Sequence, residues 1–335
     1  MSPYEYYKQI RFEDNLSKHE QQIEFLTNHT FRALVLSVIR PLYIIFRGGK
    51  YLKLRHRTIA QEPRGKYPSE SFAIVDNIQN DFIIRKKGTF SSCKNKGKLI
   101  NTKNNKIIFI HAYYKSEAES LFNIISHFED YDIVVTSPFD FIFDNVTLNK
   151  ISNRLVRIKI PNHGRDVYPF LSSLNLIDIN KYKSFIKIHT KKSQHLSDKG
   201  VWFTKNVKYL LGNKDITDHV LDYISSMHIP IVTGESTLHI DDHYKTNKFW
   251  MNELIPEVQN LGEYSFIPGT MFLGNGIFLK LIRDRHLEDY IFEDENMQLD
   301  GCAMHAIERY FGYLAQSNSG ICSSLEEFSF RYLHD

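Results

Sequence analysis

Cysteine is scarce: this chain of 335 residues has three, Cys93, Cys302 and Cys322. They form no C-x-x-C pair and no even framework, which excludes a disulfide scaffold and argues against a structural zinc site and for a reducing compartment. No apolar run approaches the roughly 20 residues that cross a bilayer. Residues 1–30 are charged and lack the apolar h-region of a signal peptide, so a cytoplasmic location is expected. An excess of one charge is missing too. Lys and Arg number 42 against 39 Asp and Glu, a net charge of +3, which does not suggest the concentrated basic face of a nucleic-acid binder. No Walker-type Gly-rich loop is present, which disfavours a phosphotransferase.

What remains is an ordinary globular composition, 42% hydrophobic and 24% charged, with plentiful Tyr (19) and Phe (24). Aromatic faces fill cores and also suit sugar rings. The length leaves room for one core domain and an appendage. Residues 1–100 are expected to form an N-terminal helical, membrane-proximal appendage and connector, and residues 101–335 an α/β domain. Within the appendage, residues 33–46 (ALVLSVIRPLYIIF) are apolar apart from Ser37 and Arg40 and are interrupted by Pro41. Arg32 precedes them, and Arg47, Lys50, Lys53, Arg55 and Arg57 follow. The segment reads either as an interfacial helix on an anionic leaflet or as a helix packed on the core.

From Lys106 onward, strands and helices alternate. Lys106–His111 is a continuous apolar strand of the kind buried on both faces. Glu117–Phe128 carries Ala118, Leu121, Ile124 and Ile125 on one helical face. Strands at 132–136, 155–160 and 182–188 and a helix at 167–174 follow. The alternation predicts a mainly parallel, Rossmann-type sheet flanked by helices, joined by right-handed crossovers. Later segments predict helices at 202–211, 216–227, 248–259 and 300–314, and strands at 229–233 and 264–272. Pro268-Gly269 inside the last strand predicts a bulge or a close backbone approach to a ligand.

Two of these strands end in phosphate-type chemistry. Leu155–Ile160 runs into Pro161-Asn162-His163-Gly164-Arg165-Asp166, and the strand ending at Ile188 runs into His189-Thr190-Lys191-Lys192-Ser193. Ligands of open α/β sheets bind beyond the carboxyl ends of adjacent strands. Arg165, His189, Lys191 and Lys192 are therefore expected to converge on one anion, a nucleotide-sugar diphosphate being the obvious candidate, with Asn162, Gly164, Asp166 and Thr190 around it. Each cluster also has a plainer reading. Lys191-Lys192 reads as a solvated pair, and Asn162–Asp166 as a turn and helix cap.

The run Asn162-His163-Gly164-Arg165-Asp166-Val167-Tyr168-Pro169-Phe170-Leu171 resembles the N-x-G-R-D-x-x-P-F-L motif of the rhamnan synthesis protein F family. Lys187–Ser193 resembles its K-x-H-T-K-K-S block, and Phe266–Phe272 its F-x-x-G-T-M-F block. Glu295–Gly301 followed by His305-Ala306-Ile307-Glu308-Arg309 is similar to its E-x-x-Q-x-D-G…H-A-I-E-R block. The four stand in family order; Leu273-Gly274-Asn275 departs from it, where Trp and Arg are common. The resemblance implies a GT-A-like bacterial glycosyltransferase. It would move a sugar such as rhamnose from a nucleotide-sugar donor to a surface polysaccharide or lipid-linked glycan acceptor.

Glycosyl transfer needs the diphosphate's charge neutralised and a base for the acceptor hydroxyl. Where many such enzymes hold a divalent metal on Asp-x-Asp, this chain has His189-Thr190-Lys191, so fixed cations are expected to do that work. No metal ligand is assigned and no cofactor is required, though Asp294 or Asp300 could recruit Mg or Mn. Asp300 is the expected base and Glu295 the second choice, Asp300 also reading as a helix cap. Trp202, Gly269, Thr270 and His305 are candidates to touch the sugar or acceptor. A site at the inner face of the cell membrane, on an anionic surface, would lie beside a lipid-linked acceptor.

Overall fold

The strand at Lys106–His111 is buried along its whole length, as a continuous apolar run requires when helices cover both faces of a sheet. The computed structural model that shows this describes residues 1–13, 74–78, 81–85, 102–139, 145–191, 201–234, 238–239, 243–254, 265–289, 292, 300–319 and 322–333. Residues 33–46, Lys192, Ser193, Asp294 and Glu295 lie outside that set.

Helix α1 (residues 3–13) comes first, then strands β1 (Ile74–Ile78) and β2 (Asp81–Arg85). Next alternate β3 (Lys106–His111), α2 (Lys115–Ile125), β4 (Tyr131–Ser137), α3 (Asn145–Ile151), β5 (Leu155–Lys159), α4 (Val167–Leu174) and β6 (Ser184–His189). Helices α5 (Val201–Leu211) and α6 (Lys214–Ser226) lead to β7 (Ile231–Thr233), β8 (Leu238–His239), α7 (His243–Leu254) and β9 (Ser265–Phe266). The chain closes with β10 (Phe272–Asn275), α8 (Gly276–Asp284), α9 (Ala303–Ser319), β11 (Cys322–Ser324) and α10 (Leu325–Tyr332).

Nine of these strands form one sheet in the order β1-β2-β5-β4-β3-β6-β10-β7-β11, mostly parallel, with β1 and β10 reversed. The hairpin β1–β2 comes from within the first hundred residues and joins the sheet, Asp81–Ile83 pairing with Arg157–Lys159. Strands β8 and β9 pair separately.

The chain moves outward from β3 through β4 to β5, then returns across both to place β6 on the other side of β3. Its crossover helices therefore lie on opposite faces, as right-handed connections demand. Helix α4 packs with α8 and α9 against Ile107, Phe109, Val134, Val156 and Phe185. Helices α1, α2, α5, α6 and α10 pack on the other face, against Ile108, Ile110, Ile133, Ile186 and Ile188. The buried face of α2 is Ala118, Leu121, Phe122 and Ile125, with Phe122 in place of the expected Ile124. All eight residues of α4 are buried, and Pro169 fits because it stands in the first turn. Asn213, Asn275 and Ser324 cap α6, α8 and α10 by accepting from Ile216, Phe278 and Glu327 N–H.

Two expectations are corrected. The strands ending in the two motif loops, β5 and β6, are separated by β4 and β3. Chain order did not give spatial order, because β6 crosses back. The segment expected as one strand at 264–272 is broken by a 3-10 turn at Pro268–Thr270, with Gly269 at φ 72° and Thr270 at φ 54°. Its second half continues as β10, antiparallel to β6, which places that turn at the carboxyl edge of the parallel strands.

Candidate functional site at the switch point

Strand order reverses between β3 and β6, and the crevice beyond such a switch point is where open α/β sheets bind ligands. His111 pairs in register with His189 across that point and with Thr136 on β4. Alternation along each strand sets the rest. Phe109 and His111, Phe185, Lys187 and His189, and Val134 and Thr136 share one face. That face is apolar in the middle of the strands, at Phe109, Val134 and Phe185, and polar towards their carboxyl ends.

Lys187 is the critical residue there. Its side chain is 2 % exposed, and an ammonium so buried must be paired. It donates to Asp166 Oδ2 at 2.6 Å, to Thr270 Oγ1 at 2.8 Å and to the Thr270 carbonyl at 3.0 Å, an acceptor for each of its three protons. The Phe170 ring lies 5.3 Å away. Thr270 Oγ1 donates in turn to Asp166, and His189 Nδ1 stands 3.4 Å from the same carboxylate oxygen. Burial alone would push Asp166 up, but His189, Lys187 and the Lys187 and Thr270 hydrogen bonds hold it well below the usual carboxylate range. Asp166 precedes α4 without capping it, because its carboxylate is turned to Lys187.

This ion pair ties together two loops of unusual backbone. Gly164 (φ 61°) and Arg165 (φ 51°) lie in the first, Gly269 and Thr270 in the second. Left-handed conformations are costly for residues with side chains and persist only where surroundings enforce them. A Cβ on Gly164 would come within 2.5 Å of Tyr168 Cβ, and one on Gly269 within 2.3 Å of the Trp202 ring, so glycine is required at both.

Helix α9 closes the site. Gly269 N–H donates to Glu308 Oε1, and Arg165 Nη1 lies 3.3 Å from His305 Nε2. Arg309 pairs with Asp300 at 3.2 Å. Asp300 also accepts from Thr246 Oγ1 at 2.6 Å and Asn247 Nδ2 at 3.0 Å. Burial opposes its ionisation, yet Arg309 and these hydrogen bonds keep its pKa lowered. Glu308 goes the other way. Burial raises it, against the pull of Arg309, Lys191 and the Gly269 N–H.

The remaining candidates fall into distinct places. Lys191 sets its ammonium 4.4 Å from the Trp202 ring centre and, among the described residues, makes no ion pair. Thr190 Oγ1 accepts from Tyr113 and Tyr114 N–H, at 2.8 and 3.0 Å, which locks the loop after β6 to the start of α2. Asn162 is exposed on its loop. His111 Nδ1 lies 3.1 Å from Thr136 Oγ1, whose proton goes to the Ile110 carbonyl at 3.2 Å. The proton between His111 and Thr136 therefore sits on His111 Nδ1. A small cavity lined by His111, Thr136, Asp166, Ser173 and Lys187 opens beneath these groups. Among the described residues no group of three or more His, Cys, Asp or Glu is arranged to hold a metal ion.

Sequence reasoning missed Lys187, His111, Thr136 and Glu308 as site residues. The signal was there for Lys187: a lysine two positions before His189 in an apolar strand shares its face, and buried lysines are rare without partners.

Fold and site together define a mainly parallel α/β protein with a cationic, charge-paired site at its switch point. The chain belongs to the rhamnan synthesis protein F family, whose model matches residues 70–319. The family is named for rhamnan synthesis. Two curated relatives, both described as "Uncharacterized protein WxcX", come from Xanthomonas campestris pv. campestris strains B100 and ATCC 33913. They are 26% identical over 225 and 226 residues, covering 64% of this chain and 31% of each relative. The chain thus spans about a third of the length of the relatives it matches.

Two predictions follow from the buried network. Lys187→Met leaves Asp166 buried without its cation and is expected to lower unfolding stability by about 3–5 kcal/mol. Urea denaturation measures it, and a loss below about 1 kcal/mol would contradict the pairing.

The second prediction concerns acid. Burial lowers His111 to about 4 and His189 to about 3, Lys187 adding to the shift and Asp166 opposing it. Both rings are neutral in the native state at pH 7, whereas the unfolded chain protonates them near 6.5. The unfolded state therefore binds more protons between about 6.5 and 4, and stability, full above that window, falls as pH drops through it. Asp166, lowered when folded, extends the loss below about 4; Glu308, raised when folded, opposes it as a single group. The urea midpoint should drop between pH 7 and 4.5, and less steeply in His111→Gln. An unchanged wild-type midpoint over that range would contradict the neutral pair.

Proposed function

We propose that this protein is a glycosyltransferase that moves a sugar from a nucleotide-sugar donor to a growing polysaccharide or lipid-linked glycan acceptor. The observation that carries the reading is Lys191. Its ammonium stands at the carboxyl edge of the switch point, against Trp202 and without a carboxylate partner among the described residues. Arg165 stands at the same edge, beside His305. Such a pair suits a diphosphate, with Arg165 offering a planar fork and Lys191 a point charge. Burial of the neighbouring His189, Lys187 and Thr270 lowers the local dielectric, so each cation acts more strongly on a phosphate than it would in water.

On this reading Lys191 and Arg165, joined by Lys192, neutralise the charge that develops on the departing diphosphate, and the reaction needs no divalent metal. The family name makes rhamnose the first sugar to try. Trp202 packs against Gly269 and under Lys191, so it serves as a wall of the donor site. The basic-flanked apolar stretch at 33–46 would keep the enzyme on an anionic inner leaflet beside its acceptor. Among the described residues no helix is long and apolar enough to cross a membrane.

Arg165→Ala and Lys191→Ala are each expected to weaken nucleoside-diphosphate binding by about 1.5–3 kcal/mol, the range for a hydrogen bond to a charged group. Calorimetry with uridine and thymidine diphosphates, on variants whose melting points match the wild type, measures this. Unchanged affinity in both would remove the site. Binding without release of nucleoside diphosphate from any nucleotide sugar would instead mark a binding subunit.

A further inference from the structure

Three carboxylates belong to the network at the switch point, and their surroundings differ. Asp166 is enclosed by Lys187, Thr270 and His189. Asp300 accepts from Thr246 and Asn247 on α7 and pairs with Arg309, so both its oxygens are engaged. A carboxylate held by a guanidinium and two hydrogen bonds is a poor proton acceptor. Glu308 differs in kind. It is partly exposed, Gly269 N–H donates to its Oε1, and no cation stands within ion-pair distance among the described residues.

Its position is equally specific. The Gly269 backbone that holds Glu308 is also the surface against which the Trp202 ring packs, and Lys191 lies over that same ring. The carboxylate therefore neighbours the group assigned to the departing diphosphate, on the turn that brings backbone to the edge of the sheet. We infer that Glu308, rather than Asp300, is the catalytic base that takes the proton from the acceptor hydroxyl. The inference rests on the glycosyltransferase reading above and adds to it the residue that activates the acceptor.

The step balances without any further reagent. The acceptor O–H bond breaks and its proton passes to a Glu308 carboxylate oxygen. The hydroxyl oxygen forms a bond to the sugar's anomeric carbon, and the bond from that carbon to the diphosphate oxygen breaks. The electron pair of that broken bond leaves with the diphosphate, towards Arg165 and Lys191. Glu308 returns the proton to solvent through its exposed side.

The charges that face Glu308 set its proton affinity. Arg309 on its own helix and Lys191 beyond β6 lower it, as does the Gly269 N–H, while burial and Asp166 raise it and the raising effects prevail. Lys187, on β6, also interacts with it. A base so placed holds its proton at a higher pH than an ordinary glutamate and loses function as that proton binds.

Glu308→Gln keeps an oxygen for the Gly269 N–H and cannot accept a proton. It is expected to retain donor affinity within threefold and the wild-type melting point. Its kcat should fall by about 100-fold or more, the usual contribution of a general base. The wild-type profile of kcat/KM against pH should show an acid limb centred above the ordinary glutamate range, and that limb should be absent from the residual activity of Glu308→Gln. A folded Glu308→Gln with kcat within threefold of wild type overturns the assignment and leaves the transferase intact. Should that variant fail to fold, a wild-type kcat/KM that stays flat down to pH 4.5 overturns it instead. Failure of the wild type to release nucleoside diphosphate from any nucleotide sugar overturns the transferase reading and the base with it.

Discussion

Lys187 places an ammonium group on the inner face of the sheet, where desolvating an ion costs several kcal/mol unless good partners replace water. Asp166 and Thr270 supply all of those partners, and they come from two different loops. Satisfying one lysine therefore fixes where the loop after β5 and the turn before β10 sit relative to the end of β6. The left-handed backbone at Gly164-Arg165 and at Gly269-Thr270 is held by that demand. Arg165 is aimed at His305 from the first loop, and Gly269 N–H at Glu308 from the second, so helix α9 is registered to the same ion pair. Remove the ammonium and four stretches of sequence lose their common reference point.

The two edges of the sheet handle charge differently. At the amino edge, Lys106 meets Asp218 and Asp222 at 2.7 and 3.0 Å, Lys214 meets Asp130 and Asp218 at 2.8 and 2.6 Å, and Lys181 meets Asp132 at 2.7 Å. Tyr131 and Tyr182 donate to those aspartates as well. Such matched networks hold strand ends in place and leave little field for a ligand. At the carboxyl edge, Lys191 rests on an aromatic face and makes no ion pair among the described residues. A positive field at the switch point, beside buried neutral histidines, favours an anion that brings its own charge.

Much of this is legible in the sequence. The strand Lys106–His111 and the helix Val167–Leu174 have the ends that their patterns predict, because a buried strand and a buried helix each carry a dense local signal. Strand order was not legible. The return of β6 across β3 depends on pairings such as His111 with His189, which lie far apart in sequence. The break at Pro268–Thr270 was visible as Pro-Gly, but its form depends on Lys187 binding Thr270. Among the site residues, Arg165, Asp166, His189, Lys191, Gly269, Thr270 and His305 do come together. Asp300 joins them through Arg309, and Thr190 serves the backbone that leads into α2. The roles within the site were less legible, since the contrast between Asp300 and Glu308 lies in their neighbours and both are simply acidic residues in sequence. Glu295 and Lys192 fall outside the described residues.

On this proposal the loops pinned by Lys187 form a single anion site at the β3–β6 switch point, and that site receives the donor's diphosphate. A crystal structure of the protein with a bound nucleoside diphosphate tests it most directly. Phosphate oxygens are expected within about 4 Å of the Arg165 guanidinium and the Lys191 ammonium, with the Lys187–Asp166 pair intact beneath them. A diphosphate bound elsewhere on the sheet, with Arg165 and Lys191 both untouched, would contradict it.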